Sequence, residues 1–579
     1  MTDAVELYGT DIPDAPAERI EVGQLSFSLQ GAAIRHIKFG DVELLRGIAF
    51  LVRDRDWGTL SPKIVEMSRS PDVAEFGLTL QMTYDSAGAE MVATVNVTAT
   101  ESELSVRATG QVNAAFETNR TGFTILHPAH VSRCPAVVGH SDGSTETTTF
   151  PDLIEPWQPF VDITSLTHEA QGFRVTCDLN GDTFEMEDQR QWGDASFKTY
   201  NRPLALPWPY EIQERETVRQ SVRLRWGPCS ADEKVTRDED MEVTFPDTAL
   251  VLTAADAVRL VNNQADLDAV RPQRLLCHID VALGEVEAQI QAFGTLQALV
   301  PDIIYDAELI CLFAPSVRDE LTAMDTAMKA AWFKPDSVLV CPSVDRQSTP
   351  PGSEWPDCPP LDEIHSVAAE VFPHIVRGGG MVSFFPELNR KRPPLERLSF
   401  VSHGLCPIVH AADDVSVMET LEAIPHILRS AKAILGACEY RLGPSTIAMR
   451  QNPYGNRTIP NPQTDRVCMA HDDPRHRARF GAAYTLGVAA SIAMSGVSVW
   501  TPCAVYGPRG LTGPIVEVIA ALARCAGQPV QSASVANGTA TLVIGSTKFD
   551  ANLTPATTNE LGPFEWRQSH LDDERGQPL

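Results

Sequence analysis

Residues 274–342 read RLLCHIDVALGEVEAQIQAFGTLQALVPDIIYDAELICLFAPSVRDELTAMDTAMKAAWFKPDSVLVCP. In this stretch, apolar runs typical of buried strands alternate with amphipathic runs typical of helices. The strand-like runs are at 274–281, 307–313 and 337–341, and the helical runs are at 284–292 and 317–332. Such alternation is typical of a parallel sheet whose strands are connected by helices.

The same alternation continues to about residue 525. Further helices are expected at 361–372, 480–494 and 515–525, and further strand segments at 381–385, 399–401, 408–410, 434–438 and 497–500. Residues 246–527 therefore predict a central, TIM-like (β/α)8 barrel that carries the catalytic site. A doubly wound sheet is the alternative, and it is disfavoured because no Gly-x-Gly-x-x-Gly follows the first strand.

The segments on either side of the barrel predict β-structure. Within residues 1–245, Leu25, Phe27 and Leu29 alternate with polar residues, and other segments repeat this period of two. A period of two indicates strands with one buried face, so we expect an N-terminal antiparallel β-sandwich. Residues 528–579 contain two short strand-like runs, at 531–535 and 540–544, and predict a small C-terminal β-domain with a polar tail.

The chain has 579 residues and a formal net charge of −29. This charge repels phosphate backbones and anionic lipids, so neither nucleic acid nor a membrane is an expected partner. The 12 cysteines are scattered and lie mostly in apolar runs, which is typical of reduced thiols in the cytoplasm. The amino terminus lacks the basic and apolar regions of a signal peptide, so we expect a cytoplasmic protein. The oligomeric state stays open.

One uncharged stretch, residues 480–507, is long enough to cross a bilayer. Alanine, glycine, serine and threonine dominate it, and the β-branched run VSVW lies near its end. A buried helix followed by a buried strand is therefore the favoured interpretation.

Catalytic groups of a (β/α)8 barrel lie at the carboxyl ends of the strands and in the loops that follow. The polar residues at these places are His278 and Asp280 after the first apolar run, Glu387, Asn389, Arg390 and Lys391 after MVSFFP, His410 and Asp413 after PIV, and Arg450 after STIAM. His278 and Asp280 alternate along one strand and so share a face, which their charge predicts to be the lumen. The segment PELNRKRPP is the densest of these.

Several of these residues also have a structural interpretation. Glu387 is a candidate salt-bridge partner of Arg390 or Lys391. Asp413 is a candidate N-cap of a following helix, because aspartate is favoured there. His410 is a candidate hydrogen-bond donor to a backbone carbonyl in the barrel wall.

A second polar concentration, EMEDQRQWGDASFKTY at 185–200, lies in the β-rich half. Its candidate ligand contacts are Glu187, Asp188, Arg190, Trp192 and Lys198. Aromatic rings interleave these charges, and sugar sites combine planar rings with a few polar groups. An ion-pair network between domains is the alternative interpretation.

Eight segments together resemble the D-apionate lactonase family of bacterial carbohydrate catabolism. They are RDWGTL (55–60), NRTGFTILHP (119–128), FPDLIEPWQPF (150–160), EDQRQWGDASFKTY (187–200), FPELNRKRPP (385–394), PIVHAADDVSVMETL (407–421), GPSTIAMRQNPYG (443–455) and ARFGAAYTLG (478–487). The resemblance implies hydrolysis of a small sugar lactone, D-apionolactone, to D-apionate during apiose breakdown. It assigns no catalytic residue.

Residue roles follow instead from the chemistry. Lactone hydrolysis needs a base to activate water, a donor for the oxyanion and an acid for the leaving alkoxide. We expect Glu387 as the base, His410 or His278 as the acid or oxyanion donor, and Glu187 as a further catalytic carboxylate. The expected substrate contacts are Asp280, Asp188, Arg190, Trp192, Lys198, Asn389, Arg390, Lys391, Asp413 and Arg450. A nucleophilic serine is not among the expected groups, and no cofactor is expected.

Three other functions stay open at this point. A glycoside hydrolase acting on an apiose- or uronic-acid-containing oligosaccharide would pair Glu387 with Asp280 or Glu187, about 5–5.5 Å apart in a retaining enzyme. A metal-assisted lactonase would use His278, Asp280, His410 and Asp413, although their spacing matches no recognised ligand pattern, so no metal is expected. A non-enzymatic sugar-binding protein is the third.

Overall fold

The computed structural model describes residues 3–14, 16–55, 57–70, 75–86, 88–229, 243–349, 353–453, 457–558 and 560–571. The chain divides into two compact units. The barrel unit comprises Met1–Asp14, Gln191–Asp194 and Asp240–Leu579, and the β unit comprises Ala15–Arg190 and Ala195–Glu239. The division into three domains at 245 and 527 stays a prediction.

The β unit is built of antiparallel strands. They are β1 (Ala17–Val22), β2 (Leu25–Gln30), β3 (Ala33–Phe39), β4 (Val42–Arg53), β5 (Lys63–Arg69), β6 (Phe76–Ser86), β7 (Ala89–Ala99), β8 (Glu103–Val112), β9 (Phe116–Thr118), β10 (Arg120–Pro128), β11 (Pro135–Gly139), β12 (Thr145–Thr149), β13 (Ser165–Ala170), β14 (Phe173–Asn180), β15 (Phe184–Asp188), β16 (Ser196–Asn201), β17 (Tyr210–Ile212) and β18 (Thr217–Pro228). One sheet has the order β1-β2-β3-β4-β10-β16-β15, and a second has the order β12-β11-β13-β14-β18-β8-β7-β6-β5. The predicted antiparallel β-structure is confirmed.

Alternation along the strands separates an apolar face from a polar face of the first sheet. Phe123 and Ile125 of β10 are completely buried in the apolar core, as is Phe197 of β16. Because successive side chains of a strand point to opposite faces, Arg120 and Lys198 lie on the other face. The sheet therefore presents charged groups on the side away from its core.

Eight parallel strands form a closed barrel, as predicted. They are β19 (Asp247–Leu252), β20 (Arg274–Asp280), β21 (Ile304–Cys311), β22 (Ser337–Pro342), β23 (Val376–Phe384), β24 (Phe400–Leu405), β25 (Glu439–Ser445) and β26 (Val499–Ala504). The last strand closes the barrel by pairing in parallel with the first.

Helices connect these strands and also extend the barrel unit. They are α1 (Ala4–Tyr8), α2 (Ala254–Val261), α3 (Val286–Leu299), α4 (Val317–Ala330), α5 (Leu361–Val371), α6 (Phe385–Lys391), α7 (Asp414–Glu419), α8 (Ile424–Leu435), α9 (Arg479–Ile492) and α10 (Ile515–Ala523). The five helical runs predicted from periodicity are confirmed as α3, α4, α5, α9 and α10.

Two predicted strand segments, 408–410 and 434–438, are wrong. Residues 434 and 435 form the last turn of α8, and Gly436 caps that helix. The strand that follows, β25, was missed because Glu439 and Arg441 interrupt its apolar pattern and form an ion pair. Residues 408–410 lie in a loop, in which the Ile408 carbonyl accepts a hydrogen bond from the Met469 amide. Their apolar character reflects burial and not strand formation.

The barrel wall also has two different faces. In β20, Leu275, Cys277 and Ile279 pack in the apolar core shared with the surrounding helices. The alternate residues, including His278 and Asp280, therefore belong to the lumen face. The sequence predicted that the charged pair His278 and Asp280 faces the lumen, and the structure agrees.

A buried ion-pair network occupies the lumen at Asp306, which is only 4% exposed. Arg274 Nε donates to Asp306 Oδ2 over 2.7 Å, and Arg441 Nη1 lies 3.2 Å from Oδ1. The Ser337 hydroxyl also donates to this carboxylate. Burial alone would raise the pKa of Asp306, but the hydrogen bond from Arg274 and the charge of Arg441 lower it.

The C-terminal segment forms a four-stranded antiparallel sheet. Its strands are β27 (Val530–Ala536), β28 (Thr539–Ile544), β29 (Thr547–Asn552) and β30 (Trp566–His570), in that order. Both strands expected from the sequence are present. The beginning of the expected polar tail belongs to β30, and 572–579 lie outside the described residues.

The uncharged stretch at 480–507 is a buried helix and a barrel strand, as favoured above. Helix α9 spans 14 residues, and nearly all of them are buried. A side chain at Gly487 would come within 2.5 Å of Leu421, so glycine permits the close packing. Among the residues that the structure describes, no helix is long and apolar enough to cross a membrane.

We predict that Asp306→Asn lowers the free energy of unfolding by about 3–5 kcal/mol, because it removes the buried carboxylate that Arg274 and Arg441 share. Urea unfolding monitored by circular dichroism measures the change. Asp325→Asn is the matched control, since Asp325 pairs with Lys329, whose side chain is 74% exposed, and should cost at most about 0.5 kcal/mol. Equal effects of the two variants would contradict the prediction.

Candidate active site

A histidine–carboxylate pair lies on the lumen face near the carboxyl ends of two neighbouring strands. His278 of β20 stands directly opposite Glu308 of β21 in the strand register. His278 Nδ1 lies 2.6 Å from Glu308 Oε2. The Glu308 side chain is 2% exposed and the His278 side chain 13%, so the imidazole is the more accessible member.

Arg450, from the segment after β25, contacts both members of this pair. Its Nη1 lies 3.1 Å from Glu308 Oε1, and its Nη2 contacts Oε2 and lies 2.8 Å from His278 Nδ1. One ring nitrogen cannot donate to the carboxylate and accept from the guanidinium at once. We assign the Nδ1 proton to the bond with Glu308, because that contact is shorter and joins an N–H to a carboxylate.

This assignment leaves Nε2 of His278 with a lone pair when the ring is neutral. No described residue forms a hydrogen bond with Nε2. Burial would raise the pKa of Glu308, but Arg450 and the hydrogen bond from His278 lower it to about 2. The carboxylate is therefore ionised near neutral pH and stabilises positive charge on the ring, which suits His278 to accept a proton.

A second imidazole–carboxylate pair lies in the loop after β24. His410 Nδ1 is 2.6 Å from Asp194 Oδ2, and the edge of the ring faces Trp192 at 5.8 Å between centroids. The segment Gln191–Asp194 belongs to the barrel unit, although strands of the β unit flank it in sequence. Both His278 and His410 of the barrel unit are thus oriented by a carboxylate.

Glu387 lies at the start of α6 and is held in a buried ion pair. Its Oε1 accepts a hydrogen bond from Ser348 Oγ over 2.6 Å and lies 3.2 Å from Arg390 Nη1. Burial raises the pKa of Glu387, and Arg390 opposes the rise. The salt-bridge alternative predicted for Glu387 is thus present.

The other charges predicted near this segment also have protein partners. Lys391 binds Asp345, and its ammonium lies 5.3 Å from the centroid of the Trp355 ring. Asn389 is buried, and its side-chain oxygen accepts a hydrogen bond from Arg392. The dense cluster PELNRKRPP therefore consists largely of mutual contacts and contacts with neighbouring loops.

The carboxylates of Asp280 and Asp413 each accept a hydrogen bond from a backbone amide. Asp280 pairs with Arg346 Nη1 at 2.6 Å and accepts a hydrogen bond from the Ala282 amide. Asp413 is the N-cap of α7 and accepts from the Ser416 amide over 2.9 Å. The capping alternative predicted for Asp413 is present.

The residues predicted in the β unit fall into two pairs. Arg190 binds Asp188 with two hydrogen bonds, Nε to Oδ1 at 2.8 Å and Nη2 to Oδ2 at 2.7 Å. Both side chains are 0% exposed, so neither has surface with which to contact a ligand, and we remove them from the predicted substrate contacts. Glu187 Oε2 and Lys198 Nζ are 2.5 Å apart and are less deeply buried.

Sequence reasoning missed Glu308 and gave Asp194 no role. Glu308 lies within AELICLF (307–313), which was interpreted as an apolar strand. The available signal was the alternation of Asp306 and Glu308, two carboxylates on one face of a barrel strand. Asp194 lies within the polar segment at 185–200, but its pairing with a residue 216 positions away has no local signal.

The candidate metal ligands do not form one group. His278 pairs with Glu308, His410 pairs with Asp194, and the two aspartates bind Arg346 and a backbone amide. Within the described ranges, no cluster of three or more histidine, cysteine, aspartate or glutamate side chains is arranged to hold a metal ion.

Two family models match the chain over nearly its whole length. The D-apionate lactonase N-terminal domain matches residues 5–228, and the D-apionate lactonase TIM barrel domain matches residues 248–542. The chain belongs to the D-apionate lactonase family. The resemblance seen in the sequence is thereby confirmed.

Among members of the D-apionate lactonase family, a curated D-apionate lactonase from Brucella anthropi is 43% identical over 524 residues, covering 88% of this chain and 86% of that protein. Similarities to solved structures are distant. A GH36 α-galactosidase from Geobacillus stearothermophilus matches with a TM-score of 0.27 and 9% identity, covering 93% of this chain and 91% of its own. A galactose mutarotase-like protein from Clostridium acetobutylicum matches with a TM-score of 0.24 and 8% identity, covering 37% of this chain and 99% of its own. Similarity at this level carries no information about chemistry.

We predict that Glu308→Gln destabilises the protein by about 3–5 kcal/mol at pH 7, because a buried Arg450 loses its carboxylate. Since its pKa is lowered from 4.5 to about 2, ionised Glu308 stabilises the fold fully above about pH 4.5, and this contribution is lost as the pH falls towards 2. The difference in melting temperature between wild type and variant should therefore shrink on acidification below pH 4.5.

The matched control for this prediction is Glu370→Gln, which removes an exposed partner of Arg318. At both pH 7 and pH 3, Glu370→Gln should change the free energy of unfolding by less than about 1 kcal/mol. A Glu308→Gln difference that stays constant from pH 7 to pH 3 would show that the carboxylate charge does not carry the effect.

Proposed function

We propose that this protein is a cytoplasmic lactonase that hydrolyses D-apionolactone to D-apionate in apiose breakdown. The observation that carries the proposal is His278, whose Nδ1 is held by Glu308 and whose Nε2 has no hydrogen-bond partner among the described residues. Membership of the D-apionate lactonase family and the relative of that name support the choice of substrate.

In the proposed mechanism, His278 acts as the general base. Nε2 removes a proton from water while the water oxygen bonds to the lactone carbonyl carbon, and the carbonyl oxygen becomes an oxyanion. Glu308 holds the ring orientation and stabilises the imidazolium that forms. Arg450 adds a positive charge beside this pair.

The second step opens the ring. The oxyanion re-forms a carbonyl, the bond between the acyl carbon and the ring oxygen breaks, and the leaving alkoxide takes up a proton. Protonated His278 returns the proton it removed from water, or His410 supplies one from its own pair with Asp194. The reaction consumes one water and yields a hydroxy acid, so the proposal includes no cofactor.

This proposal changes the role expected for Glu387. A base needs a lone pair that points at water, and three groups already hydrogen-bond to the Glu387 carboxylate: the hydroxyl of Ser348 and the guanidinium of Arg390, both at Oε1, and the backbone of Thr349. We therefore propose that Glu387 positions the loop that carries Ser348, and that it does not remove the proton. Arg390 and Lys391 stabilise carboxylates of the protein in the same way.

We predict that His278→Asn lowers kcat for D-apionolactone by about 10³-fold, within the usual range for loss of a general base. Acid release at constant pH from EDTA-treated protein measures the rate. Glu387→Gln should keep at least about a tenth of the wild-type kcat. Melting temperatures of both variants check that each is folded.

Other results would redirect the assignment. A folded Glu387→Gln variant without activity beside an active His278→Asn variant would return the role of base to Glu387. Absence of wild-type hydrolysis, with and without added divalent ions, would contradict the lactonase proposal. Aryl glycosides of apiose and of uronic acids would then test the glycosidase alternative.

The charge of Glu308 provides a second test of the same pair. Because the pKa of Glu308 is about 2, this carboxylate stays ionised through the range of a normal assay. In Glu308→Gln the imidazolium that forms during the reaction loses its anionic partner, so we expect kcat for D-apionolactone to fall by about 10²-fold or more. A folded Glu308→Gln variant with the wild-type kcat would argue against the pairing in the working enzyme.

A further inference from the structure

The polar face of the first sheet of the β unit carries three cations close together. Arg53 of β4 and Arg120 of β10 stand directly opposite each other in the strand register. Lys198 lies on the next strand, β16, and pairs in register with Glu187 of β15. Like charges placed opposite each other on neighbouring strands are unfavourable, so this arrangement calls for a physical reason.

Arg120 is the unusual member of this cluster, because it is buried without a counter-ion among the described residues. The residue is 7% exposed, and its guanidinium lies 5.3 Å from the Trp57 ring centroid and 3.8 Å from the Tyr200 ring centroid. Its Nε is buried without a hydrogen-bond partner. No described residue accepts a hydrogen bond from the guanidinium or forms a salt bridge with it.

Other buried arginines of this chain do have carboxylate partners. Arg190 binds Asp188, Arg475 binds Asp473, and Arg441 binds Asp306. A buried charge is costly unless it is paired, and two aromatic faces compensate a guanidinium only in part. Among the described residues Arg120 therefore has no anionic partner, and a bound anion would supply one.

The surroundings of Arg120 provide further ligand-binding groups. Lys198 Nζ is 5.5 Å from the Tyr200 ring centroid and 2.5 Å from Glu187. Burial lowers the pKa of Lys198, Glu187 opposes this change, and the positive charges of Arg120 and Arg53 add to it. Arg120 and Lys198 thus lie close enough for their positive charges to act on each other.

The Trp57 ring is held in place by a strained turn. Its backbone φ is 67°, a value that bulky residues rarely adopt. Arg53 Nη1 donates to the Trp57 carbonyl over 3.1 Å, and the Trp208 ring packs edge-on at 5.3 Å. Strain of this kind persists where the surrounding structure maintains it, often at ligand sites.

We propose that Arg120 and Lys198, with the rings of Trp57 and Tyr200, form a binding site for a small hydroxylated carboxylate, a sugar acid. A guanidinium binds a planar carboxylate with two parallel hydrogen bonds, which supplies the partner that Arg120 lacks. Aromatic rings pack against the C–H face of a sugar, and Glu187 accepts hydrogen bonds from hydroxyl groups. The site belongs to the β unit alone and does not rest on the proposed lactonase activity, although the product of that reaction belongs to this chemical class.

Isothermal titration with sodium D-gluconate and sodium D-apionate tests the site, with sodium acetate and inorganic phosphate as comparison anions. We expect saturable binding of a sugar acid that is at least tenfold tighter than binding of acetate or phosphate. Arg120→Met should weaken it at least tenfold. Arg223→Met is the matched control, because Arg223 pairs with Glu103 in the other sheet, and it should leave the affinity unchanged.

The melting temperature without ligand separates a binding role from a structural one. Because Arg120 forms no ion pair with any residue that the structure describes, Arg120→Met should melt at the wild-type temperature or higher, while the increase caused by the sugar acid disappears. A lower melting temperature without ligand would assign Arg120 to the fold and overturn the proposal. So would equal sugar-acid affinity in wild type and Arg120→Met, absence of binding, or binding that is lost in His278→Asn and kept in Arg120→Met.

Discussion

The carboxylate of Glu308 is the buried charge on which the mouth of the barrel depends. It lies in the lumen with almost no exposed surface and contacts both His278 and Arg450. Because an isolated charge is costly in such a place, the carboxylate requires both partners to stay close. It thereby connects β20, β21 and the segment after β25, and it sets the direction in which the free nitrogen of His278 points.

One strand provides two buried carboxylates at two levels of the lumen. Asp306 and Glu308 are two residues apart in β21 and therefore share a face. Arg274 and Arg441 neutralise the first, and Arg450 neutralises the second. In the network at Asp306, the described polar groups bind one another. The network at Glu308 also includes His278, whose Nε2 has no hydrogen-bond partner among the described residues. The pairing of buried carboxylates with arginines thus stabilises the fold at Asp306 and orients a histidine for proton transfer at Glu308.

Periodicity in the sequence was sufficient to predict the barrel, the β-sandwich and five helices, because these patterns report which side chains pack in an apolar core. It failed where the inward face of a barrel strand is charged. Glu439 and Arg441 concealed β25, and Glu308 was overlooked inside an otherwise apolar run. Asp194 was out of reach for another reason, since its histidine partner lies 216 residues away and only the fold brings them together.

The density of charge in a sequence does not identify the reactive groups, because pairing decides reactivity. In PELNRKRPP, Glu387 binds Arg390 and Lys391 binds Asp345, and in the other dense segment Asp188 binds Arg190. The groups on which the two proposals rest, His278 and Arg120, come from the less crowded segments RLLCHID and NRTGF. The His278 side chain is 13% exposed and Arg120 is 7% exposed, and each has a side-chain nitrogen without a hydrogen-bond partner among the described residues. Since burial without a partner is unfavourable in a protein that binds nothing, such exceptions indicate where a ligand belongs.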